Sequence, residues 1–443
     1  MGSILRNIKT IPENNLCTGC GTCIGLCPTN AITLKISEAQ GIYYPEIDDK
    51  KCTECNLCLK ICAGHSVHLN EGSYSISKKI KIDKMIGGYH SCFIGHSNDE
   101  KIRKASTSGG IITQILDHAL TNGFIDGAIV VRMKKDDPLV PDPFIAKSNE
   151  DILSAAKSKY CPVPMNVALR EIKHHDGRYA VVGLPCHIHG IRLAENELEW
   201  MRNKIVLRIG LFCSHTVNFW GTDFILKQYG INKNKIKEIS YRGKGWPGKF
   251  SVAFHNSKVR DFPFIRDWYG YWNAFSSYFF TPIRCLSCPD QSNELSDISI
   301  GDAWLPELRN KTKGEAVIVS RSNLSDQLLS EMKNKNSISI RKIPVEKVKE
   351  SQEISLNMKK ENLAGRLNIL YSIGLKTPKI TPLLPSTFLS RIGALLPITS
   401  VFISNGKTSR KILYKIPLPI YRLYFGLFRI LNLLTKNTDN YRS

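Results

Sequence analysis

The chain has 443 residues, 42% hydrophobic and 23% charged, long enough for two or three domains with a sizeable core and too long for any single small module. Its 61 Lys and Arg against 39 Asp and Glu give a formal net charge of +22, which favours anionic membrane, acidic cofactors or other polyanions. The lysines are scattered and no helix-turn-helix, zinc-finger or aromatic RNA-binding pattern occurs, so no nucleic-acid partner is expected. Fourteen cysteines with no secretory signal set the expectation of a reducing cytoplasm.

The first 62 residues hold two copies of Cys-x-x-Cys-x-x-Cys-x-x-x-Cys: Cys17, Cys20, Cys23 and Cys27, then Cys52, Cys55, Cys58 and Cys62. This is the ligand spacing of a bacterial two-cluster ferredoxin, in which the fourth cysteine of each run crosses to the other cluster. The expected quartets for two [4Fe–4S] clusters are therefore Cys17, Cys20, Cys23, Cys62 and Cys52, Cys55, Cys58, Cys27. Zinc knuckles or a disulfide framework are the competing readings; zinc sites rarely use three cysteines in so short a run, and disulfides belong with a secretory signal. Pro28 follows the first run as the motif has it, whereas Ala63 follows the second.

Residues 1–76 thus form the cluster domain, with a strand at Ala31–Leu34 and an extended Tyr43–Pro45 between the runs. A polar linker follows from Ser77 to Lys84. Ile111–Leu116 reads as a helix opened by Ser108-Gly109-Gly110. Gly127–Val131, Tyr179–Gly183, Ile205–Gly210 and Ala316–Val319 read as short buried strands of a sheet flanked by helices. Residues 331–380 are lysine-rich and read as a helical polar region, and the stretch from Pro378 to Pro385 as a linker. The extension, residues 381–443, ends in a run from Ile420 to Leu434 that is apolar except for a stripe of Arg422, Gly426, Arg429 and Asn432. That run is shorter than the roughly 20 residues a bilayer span needs. With Lys407, Arg410, Lys411 and Lys415 upstream it suits an anionic membrane surface or a packed partner.

Six cysteines lie outside the cluster domain: Cys92, Cys161, Cys186, Cys213, Cys285 and Cys288. Arg284-Cys285-Leu286-Ser287-Cys288-Pro289-Asp290, followed by Ser296-Asp297-Ile298-Ser299-Ile300-Gly301-Asp302-Ala303-Trp304, resembles the signature of the coenzyme F420 hydrogenase/dehydrogenase beta-subunit family (F420 names the deazaflavin coenzyme). Arg103 with Ser106–Gly110, Ser158-Lys159-Tyr160, Gly183-Leu184-Pro185-Cys186, Gly210-Leu211-Phe212-Cys213 and Gly243-Lys244-Gly245-Trp246 resemble further family blocks in the right order. The resemblance spans residues 14 to 330 and departs at His187, where the family pattern has glutamine.

The resemblance implies an α+β chain with the bacterial-type two-cluster ferredoxin domain leading into a mixed α/β flavin-binding domain (85–165 and 166–330) and a helical C-terminal extension. It implies an oxidoreductase passing electrons between coenzyme F420, as substrate, and the iron–sulfur clusters through FAD. A flavin is needed between them because a deazaflavin carries electrons in pairs and a cluster singly. The family blocks make Arg103, Ser108, Gly109, Gly110, Lys159, Gly183 and Pro185 the candidate cofactor-binding residues, with backbone N–H groups of the glycine turn suited to a phosphate or the deazaflavin's acidic tail. Arg103 and Lys159 are equally readable as solvated charges, and Asp297 and Asp302 as flavin-orienting groups or loop caps. Cys186, Cys213, Cys285 and Cys288 are expected to hold a third [4Fe–4S] cluster, against a reading as four inert buried thiols. The catalytic residues themselves are not assigned. A redox partner protein or subunit is implied, at a cytoplasmic location, peripheral at the inner face of the membrane if the basic extension binds it. Two other functions fit the same residues: an FAD and iron–sulfur reductase of another substrate, linked to surface polysaccharide synthesis, and a non-catalytic relay subunit.

Overall fold

The computed structural model describes residues 8–69, 80–264 and 272–436; residues 77–79 of the expected linker lie outside them. In the cluster domain, β1 (Ile32–Ile36) and β2 (Tyr43–Ile47) form an antiparallel hairpin with Ile32 opposite Ile47. Each cysteine run curls into a single helical turn, Thr22–Gly25 and Leu57–Lys60. The two runs share more than cysteine spacing. Gly19 and Gly21 have φ of +70° and +84°, and Glu54 and Asn56, at the same offsets in the second run, have φ of +53° and +59°. Left-handed backbone at these positions is what a tight loop around a thiolate cage demands; glycine adopts it freely and the second run does so with side chains attached.

Eight strands build the central sheet: β3 (Ser91–Ser97), β4 (Gly127–Met133), β5 (Pro141–Ala146), β6 (Tyr179–Gly183), β7 (Ile205–Leu211), β11 (Ile298–Asp302), β12 (Ala316–Ser320) and β13 (Ile338–Ile343), in spatial order β13-β3-β12-β11-β7-β6-β4-β5. The four central strands β11, β7, β6 and β4 are parallel, and both flanks are antiparallel. Alternation explains the two buried faces. In β6, Ala180 joins the core of Ile111, Ile115, Ile209 and Ile318 under helix α1 (Ile111–Thr121), while Val181 joins Ile188, Ile191 and Ile205 under helix α2 (Pro185–Glu197). A smaller antiparallel sheet, β8 (Ile236–Gly243), β9 (Lys249–Phe254) and β10 (Val259–Pro263), packs an aromatic core against helix α3 (Phe219–Gln228).

The sequence expectation of a helical polar region over 331–380 gives way at two places. After helix α4 (Asn323–Asn334), Ile338–Ile343 pairs with β3 as an edge strand, so the central sheet ends at 343 rather than 330. Lys379–Thr381, in the expected linker, pairs with Ser66–His68 of the cluster domain. Helices α5 (Leu363–Ser372), α6 (Phe388–Asn405), α7 (Lys407–Leu413) and α8 (Leu418–Leu434) then pack on the body. Gly365 sits so close to Ser390 and Arg391 that a Cβ would come within 2.5 Å of the Ser390 backbone.

Candidate redox centre and anion cleft

The first quartet assembles as a cage. Cys17, Cys20, Cys23 and Cys62 line one small cavity together with Gly19 and Gly21, and the Gly19 N–H points at Cys17 Sγ at 3.4 Å. Burial, and then the neighbouring thiols, pushes Cys17 up to about 12, Cys62 up to about 11 and Cys23 well above its ordinary range. A set of thiols that cannot comfortably ionise in one another's company needs cationic iron to hold them as thiolates. The donor set is soft sulfur throughout, as an iron–sulfur cluster requires. Among the described residues no three His, Cys, Asp or Glu side chains are close enough to hold a single metal ion.

In the second run, Cys58 is raised by burial and by Cys55 and Cys52. Cys27 packs with Cys58 and Cys23 around Ile24 and Ile32. Cys55 is exposed, Cys20 is buried and the other six are half-buried, so the second quartet is the more open of the two.

Cys186, Cys213, Cys285 and Cys288 come from three separate parts of the chain and meet at one place. Cys186 lies in the first turn of α2, just beyond β6; Cys213 follows β7, its N–H donating to Gln291 O at 2.9 Å; Cys285 lies within the turn Ile283–Ser287 and Cys288 caps its end. Parallel strands deliver their carboxyl ends to the same edge of the sheet, which brings the first two together. Burial, and then Cys20, Cys213, Cys288 and Cys285, holds Cys186 well above its usual range, and Cys213 is pushed up to about 12. Cys288 differs: burial would raise it, but Lys359, in hydrogen-bond reach, and Arg284 bring it down. Lys359 is 1% exposed. It lies in the lysine-rich segment read as a helical polar region, and nothing in the residue pattern marked it. Arg366 locks the same turn by donating to Leu286 O (2.5 Å) and Met358 O (2.9 Å).

The presence of Cys20 among the neighbours of Cys186 shows that the first and third quartets are adjacent. Asn166, fully buried, is the junction. Its N–H donates to Cys20 O (2.9 Å), and its side-chain amide donates to Thr22 Oγ1 (2.7 Å) and His187 O (2.9 Å), with Thr22 Oγ1 lying 3.1 Å from Cys20 Sγ. Arg284 supplies a second tie, donating to Ala63 O and Gly64 O (3.2 Å each) beside Cys62 while its neighbour Cys285 belongs to the third quartet.

A cleft of about 280 Å³ opens beside the start of β12, lined by Arg103, Ser106, Ser108, Gly109, Glu100, Lys244 and Lys313 among others. Gly109 packs so tightly that a Cβ would meet Gly95 O at 2.7 Å, and a Cβ at Gly314 would meet Ser108 at 2.9 Å. Ser106 Oγ is buried with no partner. Lys244 is paired with Asp261 (2.7 Å), Lys313 with Glu100 of the cleft wall (2.8 Å), and Arg103 donates to Gly314 O (2.9 Å). The free Ser106 hydroxyl and the glycine backbone suit a phosphate or polycarboxylate, which would compete with those two carboxylates for the lysines; the volume is below the usual range for a whole drug-sized ligand and fits the anionic part of a dinucleotide. Gly110, φ +75°, caps α1 immediately behind.

The other candidates go elsewhere. Lys159 is half-buried and donates to the carbonyls of Ala155, Ala156 and Lys157, closing the end of the helix Asn149–Ser154 rather than facing the cleft, and loss of water around its ammonium brings it down to about 7. Gly183 and Pro185 sit at the β6–α2 turn beside the third quartet, with Gly183 O accepting from Asn293 at 2.8 Å. Asp297 neutralises Arg192 (2.9 Å) and Arg208 (3.4 Å) in a buried network with Glu195. Asp302 pairs with Arg242, whose guanidinium is boxed by Trp246, Phe264 and Trp304 at about 5 Å. The departure at His187 is chemically small. Nδ1 accepts from Leu184 N–H (3.1 Å) and Nε2 faces Val163 O (2.9 Å), one acceptor and one donor as a glutamine amide offers; burial lowers its pKa to about 4 and keeps it neutral.

Thiol cages on a mixed sheet, tied in sequence to a ferredoxin domain, define an iron–sulfur oxidoreductase subunit. The family model described as "4Fe-4S dicluster domain" matches residues 16–64. The models for the N-terminal and C-terminal parts of the "Coenzyme F420 hydrogenase/dehydrogenase, beta subunit" match residues 92–170 and 176–346. The chain belongs to the coenzyme F420 hydrogenase/dehydrogenase beta-subunit family, with an N-terminal dicluster domain. It is similar to the coenzyme F420 hydrogenase subunit beta of Methanothermobacter thermautotrophicus, 26% identical over 305 residues that cover 66% of this chain and 99% of the relative. It is also similar to the coenzyme F420-dependent sulfite reductase of Methanocaldococcus jannaschii, 25% identical over 76% of this chain, and spans about half (49%) of that relative. A chain of the F420-reducing [NiFe] hydrogenase complex from Methanosarcina barkeri shares its fold, with a TM-score of 0.52 and 24% identity over 68% of this chain and 99% of that one.

Proposed function

We propose that this chain is a flavin-dependent iron–sulfur oxidoreductase that exchanges hydride with a deazaflavin of the coenzyme F420 type and moves the electrons to a redox partner protein. The observation that carries the reading is the third thiol quartet lying against Cys20 of the first, which makes three potential clusters contiguous. FAD bound with its phosphates in the Arg103 cleft would interconvert paired and single electrons, and the clusters would store them singly. The chain's own part is placement. Arg103 would neutralise the cofactor's phosphates, with Lys244 and Lys313 exchanging Asp261 and Glu100 for them; Asn166 and Arg284 fix the spacing of the first and third quartets, and the exposed Cys55 loop would offer electrons to the partner. The relatives named as hydrogenase subunits support a partner subunit for this chain too. A cytoplasmic location fits the thiol chemistry, and the basic C-terminal helices are its contact surface.

Anaerobic reconstitution tests the reading. Protein with all three clusters contains about twelve irons per chain, four for each quartet, and Cys285→Ala lowers this to about eight. The protein also retains FAD, whose absorbance bleaches on addition of reduced deazaflavin. Eight irons unchanged by Cys285→Ala would remove the third cluster. Flavin that ignores the deazaflavin would leave a reductase of another substrate, and no flavin would leave a relay subunit.

A further inference from the structure

The helices beyond residue 387 are apolar on both sides: Ala394, Ile398, Val401 and Phe428 are buried in a core against the body, yet a second apolar face is left outside. Of α8, the inward side carries Tyr421, Tyr424, Asn432 and Thr435, all hydrogen-bonded within the fold: Asn357 donates to Asn432 Oδ1 (3.1 Å), Asn362 to Thr435 Oγ1 (3.1 Å), and Tyr421 OH to Leu413 O (3.0 Å). The outward side carries Ile420, Leu423, Leu427, Ile430 and Leu434, between 50% and 71% exposed. Those five recur at intervals of three and four residues and form one straight ridge along the helix. The sequence expectation of a polar stripe through Arg422, Gly426, Arg429 and Asn432 is therefore corrected at its last member: Asn432 turns in, and the remaining three flank the leucine ridge. Helix α6 repeats the arrangement. Ser390, Ser400 and Ser404 face the body, with Ser404 Oγ accepting from Phe280 N–H (2.8 Å), while Phe388, Leu395 and Phe402 are exposed. The two helices are neighbours, Ser400 Oγ lying 3.0 Å from Tyr424 OH.

An apolar ridge of this size facing water is uncommon in a folded chain and marks a contact surface. Charge says which. From residue 387 to 436 the sequence has eight Lys and Arg and not one Asp or Glu, and Lys411, Lys415 and Arg429 are exposed beside the leucines. Helix α6 is also long and apolar enough by composition to cross a membrane. It is held along the body instead, where Gly365 of α5 lets Ser390 come close and its own Gly393 packs on Asn362.

We propose that α6, α7 and α8 form a membrane-binding face that lies in the plane of an anionic bilayer, with Leu423, Leu427, Ile430, Leu395 and Phe402 entering the acyl boundary and Lys411, Lys415 and Arg429 meeting the headgroups. An interfacial helix needs an apolar face at the acyl boundary and cations at its rim, and here the protein body takes the side normally turned to water. The surface stands apart from the redox reading, because it needs no cluster, flavin or turnover.

Flotation of the full-length protein with vesicles tests it. With phosphatidylcholine vesicles containing phosphatidylglycerol the protein should float, and with phosphatidylcholine alone it should stay largely at the bottom. Each cation near an anionic surface contributes about fivefold to partitioning, so Lys411→Gln/Lys415→Gln/Arg429→Gln should bind about a hundredfold more weakly. Leu423→Glu/Leu427→Glu should abolish flotation; since both side chains are exposed, its circular dichroism and thermal midpoint should match the parent. Wild-type protein that stays at the bottom with anionic vesicles overturns the proposal, as does equal flotation of the leucine variant. A wild-type dimer that light scattering resolves and Leu423→Glu/Leu427→Glu dissociates, without flotation, would assign the face to a second copy and overturn it too.

Discussion

Asp297→Asn keeps the shape of the side chain and removes only its charge, and its effect follows from the buried network around it. Asp297 accepts from Arg192 and Arg208 and from the Arg208 backbone N–H at 2.8 Å, while Glu195 shares both guanidiniums. All four side chains are no more than 12% exposed. Removing one partner of a buried pair costs about 3–5 kcal/mol, because the remaining charge stays desolvated without its counter-ion. At roughly 2–4 °C per kcal/mol for a domain of this size, the thermal midpoint should fall by about 6–20 °C. Burial works against the Asp297 carboxylate, but Arg192 and Arg208 hold its pKa below the ordinary carboxylate value. A carboxyl depressed in the folded state stabilises above its unfolded pKa, near 3.9, and loses that contribution as pH falls through the folded value. The gap between wild type and variant should thus be full at neutral pH and close in acid. Melts followed by circular dichroism from neutral to acid pH read both quantities. A variant within 1 °C of wild type at pH 7, or a gap that widens in acid, would refute the assignment of Asp297 to structure rather than to flavin.

His187→Gln should melt within about 1 °C of wild type, whereas His187→Leu strands Leu184 N–H and Val163 O and should cost about 2–6 kcal/mol by urea unfolding. Glu54→Gly relieves left-handed backbone worth about 1 kcal/mol and should raise the temperature at which the visible cluster absorbance is lost; an unchanged temperature would mean that the metal, not the loop, sets it. Arg103→Ala should weaken FAD binding about 10- to 100-fold, the worth of a charged hydrogen bond to phosphate, measured by quenching of flavin fluorescence. Equal affinity would move the cofactor out of that cleft.

The elements that sequence alone revealed are those with an unmixed signal. Tyr179–Gly183 and Ile205–Gly210 are apolar runs buried on both faces, and the cysteine runs fix their own loops by spacing. Ile338–Ile343 was hidden because it is an edge strand whose sequence, ISIRKI, alternates charge with apolar residues and sits in a lysine-rich stretch. The same stretch misled on burial. Lys349, Lys359, Lys360 and Arg366 look solvated in sequence yet are at most 7% exposed, since their partners, Asp83, the third quartet, Glu294 and Leu286 O, lie tens to hundreds of residues away. Periodicity cannot report a partner so remote. The Arg103 cleft was half visible: its glycine turn stood out, but Lys244 and Lys313 reach it only through the fold.

The contrast between Cys20, buried beside Asn166, and Cys55, open to water, would give the proposed relay the character of a partly insulated wire whose barest point is Cys55. Stray acceptors would draw current most readily where the partner does. Oxygen, the commonest of them, would then corrode the chain from the outer cluster inward, so that partly damaged protein loses its conversation with the partner while the inner centres remain reducible.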